Sequence, residues 1–240
     1  KNLIFEIGSV TKLFTAVGVL KLVDEGRLSL EDPLSKFYPG FPESNNIKVK
    51  HLLSHTTGIT DYAIHFMEQN LEQHFNEGFS KENYFQEIKK DTILQHLKSN
   101  YQKVDPGSKW SYSNGGYYFL GLIIEKVTGV SYYSYIRNHI IEPLDLKNTT
   151  YKDPEKVCHH THARGYYYFQ DPLAKTSRPF QTYYLPNEYA FSAGGLNSSL
   201  KDLYLFYSQI AQGKILSEGL LQQSWTPFRL KDGTPANTGY

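Results

Sequence analysis

Gly8-Ser9-Val10-Thr11-Lys12-Leu13-Phe14 heads a segment whose apolar residues recur at helical spacing. Val10, Leu13, Phe14, Val17 and Leu20 follow the i, i+3, i+4, i+7 rule of a buried stripe, and Gly26 stands where a C-terminal cap belongs. The pattern predicts a packed helix with Ser9 at its head. Residues three apart on a helix share a face, with Cβ atoms roughly 5–6 Å apart, so the Lys12 amine reaches the Ser9 hydroxyl. A serine hydroxyl is a weak nucleophile until a neighbour removes its proton, which Lys12 can do. The helix N-terminus favours the resulting negative charge through its unpaired N–H groups and positive dipole end. Read alone, Ser-x-x-Lys describes an N-capping serine and a solvated lysine equally well.

A second short pattern, Tyr112-Ser113-Asn114, follows Val104-Asp105-Pro106-Gly107-Ser108-Lys109-Trp110. Pro106-Gly107 reads as a turn, and the apolar run Tyr117 to Val127 reads as a core helix ending at Gly129. The Tyr112 hydroxyl is placed to relay a proton between Ser9 and a leaving group if a nearby lysine lowers its pKa from about 10. The Asn114 amide can hold a substrate carbonyl or orient Lys12. The bland reading is a turn whose tyrosine packs and whose asparagine caps the helix.

The ordered series is more specific than either pattern. It runs through Phe5-Glu6-Ile7-Gly8-Ser9-Val10-Thr11-Lys12, Leu28-Ser29-Leu30-Glu31-Asp32-Pro33, and His51-Leu52-Leu53-Ser54-His55-Thr56-Thr57-Gly58. It continues through Pro106-Gly107, Tyr112-Ser113-Asn114, Glu142-Pro143-Leu144 and Ser192-Ala193-Gly194-Gly195-Leu196. Over nearly the whole chain this resembles the serine β-lactamase and penicillin-binding-protein superfamily, specifically its class C-like branch. The resemblance implies that Ser9 is acylated, that Lys12 assists, and that Tyr112 is a general acid/base, with Asn114 beside them. It also places the Ser192, Gly194 and Gly195 loop next to the active site as substrate-binding residues. Tyr183-Tyr184 and Tyr189-Ala190-Phe191, just ahead of that loop, are candidates for lining a pocket.

The family's third motif, Lys-Thr-Gly or His-x-Gly on a late strand, is not found. Lys231-Asp232-Gly233 reads instead as a hairpin turn between Thr226-Pro227-Phe228 and Thr234-Pro235. The resemblance therefore implies an α/β (α+β) fold of the β-lactamase/transpeptidase-like kind, a helical region packed on an antiparallel sheet. Residues 1–240 are expected to form one such domain with N-terminal and C-terminal strands missing, as in an internal portion of a larger hydrolase, and about 40–190 to be mostly helical.

Composition bounds the rest. Lys plus Arg number 25 against 24 Asp plus Glu, which gives no reason to expect a nucleic-acid partner. No apolar run approaches the roughly 18 residues of a membrane span. One cysteine, Cys158, excludes an internal disulfide. Twenty tyrosines and fourteen phenylalanines include Tyr166-Tyr167-Tyr168-Phe169, which reads as a strand packed on both faces. Helices are expected over Asp61 to about Gly78, over Lys81 to Tyr101 with a break near Asp91-Thr92, over Ser131 to about Ile141, and over Ser199 to Gly213, which opens on a capping box. Cys158-His159-His160-Thr161-His162 holds metal-ligand types without a clear fourth group, so no metal is expected, and no cofactor is needed. His55, next to Ser54, is read as a buttress for a helix ending at Gly58. The expectation is a serine hydrolase acting on a small-molecule or peptide substrate: an ester, a D-amino-acid peptide or a β-lactam. The alternatives are a D-alanyl-D-alanine carboxypeptidase or D-aminopeptidase, and a non-catalytic sensor or scaffold. A periplasmic or extracellular address is implied by the resemblance only.

Overall fold

Strand β1 (Phe5–Glu6) and a 3-10 turn (Gly8–Val10) lead into helix α1 (Thr11–Asp24). This computed structural model describes residues 3–67, 69, 88–151, 161–170, 177–181 and 187–236. Helix α1 is buried nearly all round rather than along one stripe. Val10 is exposed and Leu13 half-buried, while Thr15, Ala16, Gly18 and Val19 are enclosed. A helix covered on every side has no polar face to alternate with, so the periodic signal marks its presence and misassigns its faces. Phe14 stacks on Phe206 at 4.1 Å between ring centroids.

Seven further helices follow α1 among the described elements. The first four are α2 (Val49–Leu53), α3 (Lys90–Ser99), α4 (Asn114–Thr128) and α5 (Tyr132–Ile136), the last continued by a π-turn over Arg137–Ile141. Residues 62–67 are also helical. Strands β2 (Thr150–Tyr151), β3 (Tyr166–Gln170) and β4 (Ser177–Gln181) precede α6 (Asn187–Gly194), β5 (Leu196–Ser198), α7 (Leu200–Ala211) and α8 (Glu218–Trp225). Buried β5 lies between β1 and β2 in an antiparallel sheet, pairing Glu6 with Asn197 and Tyr151 with Leu196. β3 and β4 form a separate hairpin that pairs Tyr166 with Gln181. The architecture is the expected helix-rich α/β kind with a small antiparallel sheet.

Local chemistry explains the boundaries. Helix α4 begins at Asn114, earlier than expected, because Ser113 is its N-cap and accepts the Gly116 N–H at 3.1 Å. It ends where Gly129 takes φ 76°. Ser131 and Ser199 cap α5 and α7 through the Ser134 and Asp202 N–H groups, the second where the sequence pattern predicts a cap. Helix α2 stops at Leu53 rather than at Gly58: His55 adopts φ 58°, which turns the chain out of the helix. Helix α3 starts at Lys90, so Asp91 sits in its first turn, where it suits the dipole, instead of capping it. Residues 68 and 70–87, and with them parts of both expected helices over 61–101, lie outside the described residues, as do Cys158, His159, His160, Tyr183 and Tyr184. Among the described residues no helix is long and apolar enough to cross a membrane.

Candidate active site

Ser9 lies in the exposed 3-10 turn, which Gly8 enters with φ 49°. Two bonds pin this turn to β5: the Ile7 N–H donates to the Leu196 carbonyl at 3.1 Å, and the Leu196 N–H donates to Thr11 Oγ1 at 3.1 Å. The N–H groups of such a first turn have no intrahelical acceptor, so the Ser9 amide is a ready donor to an oxyanion. One turn on, Lys12 is only 6% exposed. Its Nζ donates to Ser9 Oγ at 3.1 Å, to Asn114 Oδ1 at 2.6 Å and to the Ala193 carbonyl at 2.8 Å.

Burial pulls the Lys12 amine down to about 8, with Asp61 pulling the other way. An ammonium has three N–H donors, one for each contact; the neutral amine has two and a lone pair. The two shorter contacts, to Asn114 and Ala193, can keep both N–H groups of the neutral form, which leaves the lone pair on the longest contact, facing Ser9. The arrangement can hold a neutral amine aimed at the hydroxyl.

The Tyr112 hydroxyl lies 2.7 Å from Ser9 Oγ, and Lys12 Nζ sits 4.9 Å from the centre of the Tyr112 ring. Burial pushes the Tyr112 phenol up, the Ser9 hydrogen bond opposes this, and Asp61 adds to it. The expected lowering by Lys12 is absent: a half-buried phenol loses hydration of its anion, and the neighbouring carboxylate repels that anion. Tyr112 is therefore a neutral phenol that can give or pass a proton. His55 supports it. The imidazole packs against Tyr112 and Tyr117 at 4.6 and 5.0 Å, and Nδ1 accepts the Ser113 N–H at 3.2 Å. Burial, with the Lys12 charge, pulls His55 down to about 4, so it is a neutral acceptor at physiological pH.

Asn114 is fixed from behind by Asp61. Its Nδ2 donates to both Asp61 oxygens, at 3.0 and 2.9 Å, and Asp61 Oδ1 also accepts the Ala63 N–H at 2.9 Å. The Ala193 carbonyl reaches Lys12 because the chain breaks within α6 at Phe191, which holds φ 35° and ψ −132°. Such a backbone conformation costs a non-glycine residue of order 1–3 kcal/mol, and the packing around it is tight. Thr15 Oγ1 donates to the Ser192 carbonyl at 2.6 Å, and Ser192 Oγ donates to the Tyr117 carbonyl at 2.8 Å.

The structure thus brings Ser9, Lys12, Tyr112 and Asn114 together. It places the expected substrate-binding loop behind them: the Ser192 side chain is fully buried, Tyr189 and Phe191 are buried, and Gly194 lies against the Gly8 backbone. A Cβ on Gly195 would come within 2.7 Å of the Phe191 carbonyl, so glycine allows the kink to close on itself. Sequence reasoning missed Asp61, which it assigned to a helix start, and the Ala193 carbonyl, a backbone group with no residue signature. Lys231-Asp232-Gly233 forms the expected hairpin turn, with the Leu230 N–H donating to the Thr234 carbonyl at 2.8 Å. It docks on the Asp105–Gly107 turn, through the Lys231 N–H to the Gly107 carbonyl at 3.0 Å. A cavity of about 410 Å³ opens beside Tyr112 and Asp61, walled by Ile59, Ile64, Val104 and His65. Among the described residues no group of three or more His, Cys, Asp or Glu could hold a metal ion.

The sequence profile of the Beta-lactamase family matches residues 1–239. The chain is similar to Penicillin-binding protein 4* of Bacillus subtilis (strain 168), with 30% identity over 249 residues, covering 100% of this chain and 52% of that protein. Among solved structures it is similar to the octameric penicillin-binding protein homologue from Pyrococcus abyssi, with a TM-score of 0.76, 31% identity, and coverage of 95% of this chain and 50% of that one. It is also similar to the D-stereospecific amidohydrolase from Streptomyces sp., with a TM-score of 0.76, 28% identity, and coverage of 98% and 68%. The chain spans about half the length of the curated relatives it matches. The family match covers almost the whole chain, and on that basis the chain belongs to the Beta-lactamase family, in the superfamily that serine β-lactamases share with penicillin-binding proteins.

Proposed function

We propose that this chain carries the acylation centre of a serine hydrolase that cleaves an amide or ester through an acyl-enzyme on Ser9. The observation that carries the reading is that Ser9 Oγ is in hydrogen-bond contact with two proton-handling groups at once, Lys12 Nζ and the Tyr112 hydroxyl. In this reading the neutral Lys12 amine takes the Ser9 proton as Oγ bonds to the carbonyl carbon. The Tyr112 phenol gives its proton to the departing nitrogen or oxygen as that bond breaks, and Lys12 returns a proton to Tyr112. Water then adds to the acyl-enzyme by the reverse relay, releasing a carboxylic acid and restoring Ser9. The Ser9 N–H supports the oxyanion. Asn114 and the Ala193 carbonyl orient the base.

As to substrate, an amide or peptide with a D-configured residue is favoured over a simple ester. Its support is the likeness to a D-stereospecific amidohydrolase and to penicillin-binding proteins. A D-alanyl-D-alanine carboxypeptidase or D-aminopeptidase falls within that class.

The test is intact-protein mass after incubation with a fluorophosphonate and, separately, with a fluorescent penicillin, using Ser9→Ala as control. A Ser9-dependent adduct is expected. A folded protein that forms none would overturn the acylation reading in favour of a binding module.

A further inference from the structure

We propose that Asp61 is a positioning residue for the Ser9 centre: it clamps the Asn114 amide so that the amide oxygen must face Lys12, and it thereby sets a carboxylate one side chain away from that amine. The proposal rests on reading Lys12 as the base of acylation.

The clamp follows from donor and acceptor inventory. An asparagine amide offers an oxygen on one side and an NH2 on the other, and a neutral environment often tolerates either orientation. A carboxylate only accepts. With both Asp61 oxygens on Nδ2, at 3.0 and 2.9 Å, the amide cannot turn over without pressing its oxygen on a carboxylate. Its oxygen therefore points at Lys12 Nζ, at 2.6 Å, the shortest of the three lysine contacts. Asp61 is itself held, since its Oδ1 accepts the Ala63 N–H at the start of the 62–67 helical turn. That turn is tied to α6 from both sides: the Tyr62 hydroxyl donates to the Tyr189 carbonyl, and the Tyr189 hydroxyl donates to the Ala63 carbonyl. The two groups that hold the Lys12 N–H bonds, Asn114 Oδ1 and the Ala193 carbonyl, are thereby mounted on one braced unit.

The charge argument is a matter of which neighbours are ionised. Facing Lys12 are the Tyr112 ring from its loop, the Tyr117 ring of α4 at 5.6 Å, His55 from the turn after α2, and Ser9 of its own turn. Burial raises both tyrosines above their ordinary range and keeps His55 neutral above about 4. Asp61 is the anionic group acting on Lys12 among the described residues, and it opposes the burial that drives the amine to neutrality. Asp61 thus trades a fraction of neutral base for a fixed geometry.

The test reads Lys12 directly, so it does not depend on turnover. The 15N shift of Lys12 Nζ, assigned by its loss in Lys12→Arg, is titrated in the wild-type chain and in Asp61→Asn. The midpoint is expected to fall by about half a unit or more when the opposing charge is removed. Asp61→Glu, which keeps the charge, is expected to stay near wild type. An unchanged or raised midpoint in Asp61→Asn, or an equal fall in Asp61→Glu, overturns the proposal. Asp61→Ser replaces Asp61→Asn, with the same expectation, should the latter fail to fold. Fluorophosphonate labelling across pH is run in parallel. Absence of labelling in the wild type would count against Ser9 acylation while leaving the Lys12 titration readable.

Discussion

Ser9 Oγ lies 2.7 Å from the Tyr112 hydroxyl, although 103 residues separate them in the chain. The contact joins the turn before α1 to the loop before α4, and both are anchored independently: the first on β5, the second on His55. The hydroxyl is held by rigid neighbours, so it can be removed without moving the ring. Tyr112→Phe is therefore expected to slow acylation of Ser9 by about 10²–10⁴, the usual worth of a positioned acid or base. Because Tyr112 is 39% exposed, the thermal midpoint should scarcely change. The labelling rate with a fluorophosphonate and a melting curve check the two halves. Unaltered labelling in Tyr112→Phe would remove the phenol from the mechanism.

The pH dependence has a definite sign. With the Lys12 amine drawn down to about 8, the protonated form predominates at neutral pH and its lone pair is unavailable. The rate of Ser9 acylation should rise tenfold per pH unit below about 8 and level off above it. Stability moves in a related way. The unfolded chain takes up the Lys12 proton near its ordinary 10.5 and the folded chain only near 8. Between these values the unfolded state binds more protons, so the Lys12 contribution to stability increases with pH across that window and is flat below it. Urea unfolding at pH 7, 8 and 9.5 should show the rise in the wild type, and Lys12→Met should reduce it.

Much of the architecture was legible because it is written locally. The Ser9–Lys12 contact is an i, i+3 pair on a helical turn, and Ser131, Ser199 and Gly129 mark helix ends through their own side chains or lack of one. What escaped is relational. Asp61 meets Asn114 across 53 residues, and nothing in Thr60-Asp61-Tyr62 distinguishes an anchoring carboxylate from a capping one. The Ala193 carbonyl depends on a left-handed φ at Phe191, a conformation that an aromatic residue does not advertise. Strands β1 and β2 have two residues each, too few for a period-two signal. The end of α2 escaped because His55, not a glycine, takes the left-handed turn.

Gly121 tests how the strained loop is held. It lies on the face of α4 against which Phe191 and Ser192 pack, and an added Cβ would come within 2.5 Å of Ser192 Cβ and 2.7 Å of Phe191 Cε1. Those atoms belong to the segment that presents the Ala193 carbonyl to Lys12, and Thr15 fixes the same segment from α1. Gly121→Ala should destabilise the fold by about 1–3 kcal/mol, the usual cost of overpacking. It should also slow Ser9 acylation, although residue 121 touches no reacting atom. Denaturant unfolding and labelling would separate the effects. A variant as stable and as reactive as the wild type would show that the 191–194 segment has room to move.

Asp202 is the contrasting case, a buried carboxylate whose hydrogen bonds hold the fold together. It is 2% exposed and accepts from the Asn148 N–H at 2.6 Å, Thr149 Oγ1 at 3.0 Å and Ser199 Oγ at 3.2 Å. Its own N–H donates back to Ser199 Oγ, the N-cap of α7, so its carboxylate ties that capped end to the segment entering β2. Removing the carboxylate strands several donors in a dry site, and each unsatisfied group costs about 1–3 kcal/mol. Asp202→Ala should therefore lower stability by about 3 kcal/mol or more, whereas Asp202→Asn, which keeps an acceptor, should lose less. Since β2 and α7 both border β5, whose Leu196 pins the turn bearing Ser9, the loss should show as cooperative unfolding at lower urea with an unchanged slope. Below that transition, the labelling rate of Ser9 in the folded Asp202→Asn protein should equal that of the wild type.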